Sequence, residues 1–410
     1  MSATATGGSR PWLMPSAWGF VTWTAWLMLY LCRLIRWDPV TPAALLVFAG
    51  VTMAWPLSML LMRPLYAALP TEPEGAAPGG GAVRGGTLGI VFLHLVGLVG
   101  MVLYVRDLAA RLGGWGGFLA ALAFGSNYIR WALEDSISIG TQLSYFGWVA
   151  VGLSIVASRR GYGSRPLTIL AVVQVLANFL FVDRTRPTWI GFICLAVLVA
   201  TAPHLRWRRL LGGGAAAIVV FLIVFTAVAN WLGKVPEEGA YGASPLPLPL
   251  QSMYQYGTAG FAYFNEILGR LAPGDYDSVR VLNPMWKLLA RLGFAAEPPS
   301  QVNEMFWVPF PVNVGTFLEP WYRDGGPWLA ILGVVIHTLG LDLLGLLFLR
   351  CGRPLAIVAW ANTCFVTFIA FFTPKLNTLP VWIILGLGLG AVAWDRLARL
   401  TPAPAPRASP

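Results

Sequence analysis

The chain has 410 residues, a formal net charge of +10, 57% hydrophobic and 11% charged residues, and 19 Trp. Soluble globular proteins carry about 25% charged residues, so the composition excludes an ordinary soluble domain and predicts an integral membrane protein. Apolar stretches of about 20 residues, bounded by charge or proline, suit helices crossing a core of about 30 Å, whereas barrel strands would alternate polar and apolar residues.

The expected fold is therefore an all-α polytopic membrane protein, one transmembrane domain over residues 1 to 410. Ten spans are predicted near residues 12 to 32, 41 to 62, 87 to 105, 138 to 158, 166 to 182, 187 to 203, 211 to 233, 325 to 349, 354 to 373 and 378 to 394. Residues 63 to 86, which include GAAPGGGAVRGG, read as a flexible inner linker, and 400 to 410 as a disordered tail.

With both termini cytoplasmic, the inner loops hold Arg10, Arg63, Arg84, Arg159, Arg160, Arg165, Arg206, Arg208, Arg209, Arg350, Arg353, Arg396, Arg399 and Arg407. Against them stand only Glu72, Glu74 and Asp395, while the outer side balances its cations with carboxylates. This asymmetry follows the positive-inside rule and accounts for the basic charge without nucleic acid. Cys32, Cys194, Cys351 and Cys364, and the scattered His94, His204 and His337, show no metal-ligand or disulfide spacing, so no metal and no cofactor is expected.

Polar residues collect on the outer side. Residues 234 to 324, between spans seven and eight, form one large outer loop that is too long to be structureless. Within it, 251 to 271 is predicted as a helix, with Tyr254, Phe261, Phe264 and Leu268 at helical spacing and Glu266 four before Arg270. Residues 281 to 294 read as an interfacial helix, with Trp286 and Leu289 opposite Lys287 and Arg291. The loop's aromatic surplus suits stacking on sugar rings, although anchoring at headgroup depth is the commoner role of any single Trp or Tyr.

The hairpin in FVDRTRPTWIGF (181 to 192) places Arg184 and Arg186 on that outer face, PKLN (374 to 377) adds Lys375, and EPWYRDGGPW (319 to 328) adds Arg323 beside Glu319 and Asp324. Guanidinium forks match phosphate oxygens, so this convergence suits a lipid-linked phosphate or diphosphate. The competing reading is snorkelling to lipid headgroups, or a local ion pair with Asp183.

The segment PFPVNVGTFLEPWYRDGGPWLAILGVVIHTLGLDLLGLL (309 to 347) resembles the bacterial oligosaccharide repeat-unit polymerases, the O-antigen polymerase (Wzy-like) family. Asn313, Val314, Thr316, Leu318, Tyr322, Asp324 and Gly326 carry the resemblance, and Gly325 stands where the family has Phe. It implies a GT-C-like bundle in the bacterial inner membrane, working at the periplasmic face with no cofactor. The implied reaction transfers a growing glycan from undecaprenyl diphosphate to an undecaprenyl-diphosphate-linked repeat unit, with a chain-length regulator and a flippase as partners. On this resemblance Arg184, Arg186 and Arg323, then Lys375, Arg270 and Arg280, hold the diphosphate. Asp324, Glu319 and Glu266, with Glu304 and Asp183 behind them, are candidate bases for the acceptor hydroxyl. Asn313, Tyr322, Trp321 and Tyr263 are candidate sugar contacts. For Asp324, capping the N-terminus of span eight is an equally good role. The alternatives are an O-antigen ligase, for which residues 234 to 324 lack a histidine, another lipid-linked-sugar glycosyltransferase, or a transporter, for which the spans carry too few charges.

Overall fold

Proline sets where many helices begin, because its missing N–H falls among the donors a helix leaves unpaired and its φ is already helical. It occupies the first helical position of α1 (Pro15–Cys32) and α2 (Pro42–Ala67), where the Thr41 hydroxyl also accepts from Ala44 N. In the computed structural model, residues 10–69, 80–124, 139–181, 185–201, 244–271, 279–298 and 303–400 are described. After α2 come α3 (Gly80–Arg111), α4 (Trp115–Phe124), α5 (Ile139–Arg159), α6 (Arg165–Ala177) and α7 (Thr185–Thr201). Between α7 and the next long helix the chain contributes α8 (Leu248–Arg270), α9 (Asn283–Arg291) and a hairpin of β1 (Phe306–Trp307) with β2 (Pro311–Val312). Helix α10 (Leu318–Val335) runs through a π-helical turn, Ile336–Gly340, into α11 (Leu341–Cys351). The described chain closes with α12 (Pro354–Phe368) and α13 (Leu379–Leu400).

Among the described residues, five segments are long and apolar enough to cross a membrane: Pro42–Ala67, Gly86–Arg111, Ile139–Arg159, Leu318–Cys351 and Leu379–Ala398. Three shorter apolar helices, α6, α7 and α12, accompany them. Among the described residues the fold is thus all-α apart from the small hairpin, and it is that of a multi-pass membrane protein. Each predicted span within the described residues coincides with a helix, but only the five segments above are long and apolar enough to cross a membrane: α1, predicted as the first span, is not among them, and α6, α7 and α12 are shorter. The span at 211 to 233, and the segment GSNYIRWALEDS that carries Arg130, Glu134 and Asp135, lie outside the described residues. The inner linker is shorter than its composition implied, since α2 continues through Pro64 to Ala67 and α3 starts at Gly80.

Two packing devices hold the bundle. Helices α3 and α5 make its most extensive contact. Their backbones touch at glycine: a Cβ on Gly97 would sit 2.6 Å from Gly147 Cα. Small residues allow such close approach where lipid tails offer no hydrophobic driving force. The second device is aromatic. Trp23 of α1 packs edge-on against Phe48 of α2, Phe261 of α8 and Phe317 ahead of α10, all fully buried. Helix α8, predicted from the outer loop, is therefore part of the core, and residues 257 to 264 are buried on every face.

Intramembrane Asp342 has a structural role. Its Oδ1 accepts from Ser16 N in the first turn of α1 (2.8 Å) and its Oδ2 from the Ser58 hydroxyl (2.7 Å). A side chain from α11 thus caps α1, satisfying a donor that the bilayer could not. His337, five residues earlier, meets other neighbours: it packs on Phe317 at 4.3 Å between ring centroids and its Nδ1 lies 2.9 Å from Gly333 O.

Candidate functional site

Helix α10 begins at Leu318, so Glu319 falls in its first turn, where the helix dipole favours an anion, and Arg323 follows at i+4 on the same face. Arg323 Nε lies 2.7 Å from Glu319 Oε1, and both residues are buried. The same guanidinium donates through Nη2 to Glu304 Oε1 (2.6 Å) and to the Tyr263 hydroxyl (3.0 Å). Tyr263 in turn donates to Glu304 O (3.2 Å). Arg280 Nη1 completes the cluster, 2.9 Å from Asn303 Oδ1 and 3.9 Å from Glu319 Oε1. Charges buried at this density persist only when paired and hydrogen-bonded.

The pair Glu319 and Arg323 is a charge contact rather than a well-directed hydrogen bond: neither Glu319 Oε1 nor Arg323 Nε finds an aligned partner. Glu304 stands half-exposed at the rim. Burial works to raise its carboxyl, but the Arg323 hydrogen bond, its own backbone and the charges of Arg323 and Arg280 leave it below the ordinary value. Burial holds the Tyr263 hydroxyl well above the ordinary phenol range, against the lowering pull of Arg323.

Backbone geometry aims these groups. Immediately after Asp324, α10 is interrupted at Gly325 (φ −164°, ψ 24°) and Gly326 (φ 63°, ψ −153°), and Pro327 starts the run into the apolar part. The Gly326 conformation is one that side chains do not tolerate. Asp324 sits at this kink and binds the preceding loop: Oδ1 accepts from Arg280 N (2.8 Å) and Oδ2 from Val281 N (2.7 Å). Asp324 therefore positions Arg280 against Glu319.

A second cationic group forms on an aromatic shelf. Tyr145 and Trp148 of α5, Trp189 of α7 and Phe365 of α12 pack in sequence, edge-on, tilted and then stacked, with neighbouring centroids at 4.8, 5.1 and 4.5 Å. Arg186 lies over Tyr145 at 5.2 Å and Trp148 at 5.6 Å, and donates to the Ser144 and Tyr145 hydroxyls. Lys375 lies over Trp189 at 5.6 Å. Aromatic faces hold a cation by their quadrupole while leaving it its charge. The start of α7 at Thr185 puts Arg186 in its first turn, where the sequence placed it in a hairpin ahead of Pro187. Arg184 and Asp183 lie outside the described residues. The loop between α12 and α13 carries Lys375, and its Ala370 O accepts from Phe317 N at 2.8 Å, two residues before Glu319.

The remaining candidates separate. Glu266 and Arg270 pair with each other along α8, and Arg270 covers Phe306, which stacks on Tyr263, so this pair edges the cluster. Tyr322 is half-buried edge-on to Phe264. Trp321 is packed in the core, where a Cβ on Gly333 would meet its ring at 2.5 Å. Asn313 stays half-buried on the strand-to-helix loop. Nothing in the sequence marks Asn303, and the aromatic shelf draws on three separate helices, so no local spacing announces either.

No protein-family model, no curated protein and no solved structure matches the chain. The class that fold and site define is a multi-pass helical membrane protein with a buried carboxylate and guanidinium cluster at the head of one long helix.

Proposed function

We propose that the protein is a membrane glycosyltransferase, a polysaccharide polymerase that moves a growing glycan from undecaprenyl diphosphate to a lipid-linked repeat unit at the periplasmic face of the bacterial inner membrane. The observation that carries this reading is the Glu319, Arg323 and Arg280 cluster, built on the segment that resembles repeat-unit polymerases. In the reaction the acceptor hydroxyl oxygen attacks the donor's anomeric carbon. The bond from that carbon to the diphosphate oxygen breaks, the hydroxyl proton goes to a carboxylate, and undecaprenyl diphosphate leaves with its charge.

Glu319 takes the role of that carboxylate, held in place by two guanidinium groups. Arg186 and Lys375 take the diphosphate, because guanidinium and ammonium groups match phosphate oxygens and stabilise the charge of the leaving diphosphate. Arg323, engaged by two carboxylates, is a positioning residue in this scheme, a change from the diphosphate role the resemblance implies for it.

Purified protein supplied with undecaprenyl-diphosphate-linked repeat units is expected to produce a ladder of lengthened glycans. Glu319→Gln should lower kcat by roughly 100-fold or more, the usual scale of general-base catalysis, while Arg186→Gln and Lys375→Gln should raise the donor KM. Unchanged chain lengthening in all three variants would overturn the assignment, and the absence of any ladder with the wild-type protein would overturn the activity.

A further inference from the structure

Away from the carboxylate cluster, α11 ends in Arg350 and Cys351, α12 returns, and α13 runs back so that its second half lies beside the end of α11. Between them is a cavity of about 350 Å3 walled by Leu343, Leu346, Leu347 and Val392, with Arg350, Arg396 and Asp395 at one end. The chemistry changes abruptly along this groove, from a hydrocarbon wall to guanidinium groups. Asp395 does not neutralise that end by itself, because it pairs with Arg353, whose Nε and Nη2 both lie 2.8 Å from its Oδ1. Arg350 and Arg396 are exposed, and among the described residues neither side chain makes a hydrogen bond or ion pair.

We infer that the groove between α11 and α13 is a binding site for an anionic phospholipid, with an acyl chain along the leucine wall and the phosphate on Arg350 and Arg396. Its volume lies at the low end of the range for small-molecule sites, roughly 300 to 1,000 Å3, which admits a length of chain and excludes a folded partner segment. Charge complementarity selects the ligand: two arginines with no partner among the described residues face the leaflet that the positive-inside asymmetry assigns to the cytoplasm, where anionic lipids concentrate and basic pockets between helices bind their headgroups. The site does not depend on the proposed glycosyl transfer.

Native mass spectrometry of the full chain, released from detergent after titration with phosphatidylglycerol or phosphatidylcholine of identical acyl chains, tests it. Phosphatidylglycerol should be retained in preference, and Arg350→Gln with Arg396→Gln should weaken its retention by roughly tenfold or more. Arg159→Gln with Arg165→Gln, on the same side of the bundle, should leave it unchanged, and Leu347→Trp, which fills the groove, should weaken it. Equal retention of the two lipids, or an equal loss in the Arg159 and Arg165 variant, would overturn the site in favour of general attraction to a basic surface. Displacement of phosphatidylglycerol by water-soluble glycerol phosphate would overturn the role of the leucine wall. If the double variant does not elute as a folded species, Arg350→Gln and Arg396→Gln singly carry the same reading, each with a partial loss, and no loss in either overturns it.

Discussion

Arg323 joins three elements through one guanidinium: Glu319 on its own helix, Glu304 on the loop before β1 and Tyr263 on α8. Removing it strands a buried carboxylate. Arg323→Ala is expected to cost about 3 to 5 kcal/mol, the scale for breaking one side of a buried pair, and Arg323→Lys should recover part of it; thermal unfolding in detergent measures both. Glu304 gives a pH signature. Because its folded value is depressed, the stabilisation from its bond to Arg323 is complete above the ordinary Glu pKa, roughly 4.3, and is lost as pH falls through the lower folded value. Half-exposure limits this contribution to about 1 kcal/mol or less. The stability difference between wild type and Glu304→Gln should therefore be small at neutral pH and close below pH of about 4; a difference that widens in acid would reverse the assignment.

At the scale of elements, the kink in α10 separates a polar head from an apolar shaft. Without the break at Gly325 and Gly326 the helix would continue straight, and Asp324 would turn away from the amides of Arg280 and Val281. Gly326→Ala is expected to cost about 1 to 3 kcal/mol, since its φ of 63° with ψ of −153° is open almost only to glycine. A catalytic loss larger than that of stability would show that the kink positions the cluster. The α3 and α5 crossing makes a parallel case. A side chain at Gly147 would run into the Gln174 amide, whose Nε2 would lie 2.0 Å from the new Cβ, so Gly147→Leu should separate α3, α5 and α6 and abolish a monodisperse elution peak in size-exclusion chromatography. Gly147→Ala should do so to a smaller degree.

For the whole molecule, orientation decides which compartment the cluster faces and which the arginine-rich ends face. With Cys32, Cys194, Cys351 and Cys364 replaced, a cysteine at Glu304 is expected to react with a membrane-impermeant maleimide in intact cells. One at Arg159 should react only after lysis. The reverse pattern would invert the topology and move the proposed reaction away from the periplasm.

Hydropathy by itself pointed to the all-α membrane class and to most helix positions within the described residues, α4 (Trp115–Phe124) excepted, and charge asymmetry supplied the expectation of inside termini, because the bilayer imposes length and apolarity locally on each span. Glu319, Arg323, Arg280, Glu304 and Tyr263 could each be singled out in the sequence as chemically able residues. Tertiary structure alone decided that they meet in one buried cluster, that Arg186 and Lys375 rest on a shelf of aromatic rings, that Trp321 belongs to the core, and that Asp342 caps another helix. Those outcomes depend on which helices pack together. A residue's type and spacing report its own helix face, whereas its neighbours across the bundle are set by glycine contacts, a kink and aromatic packing that act between segments hundreds of residues apart in some cases, such as Ser16 and Asp342.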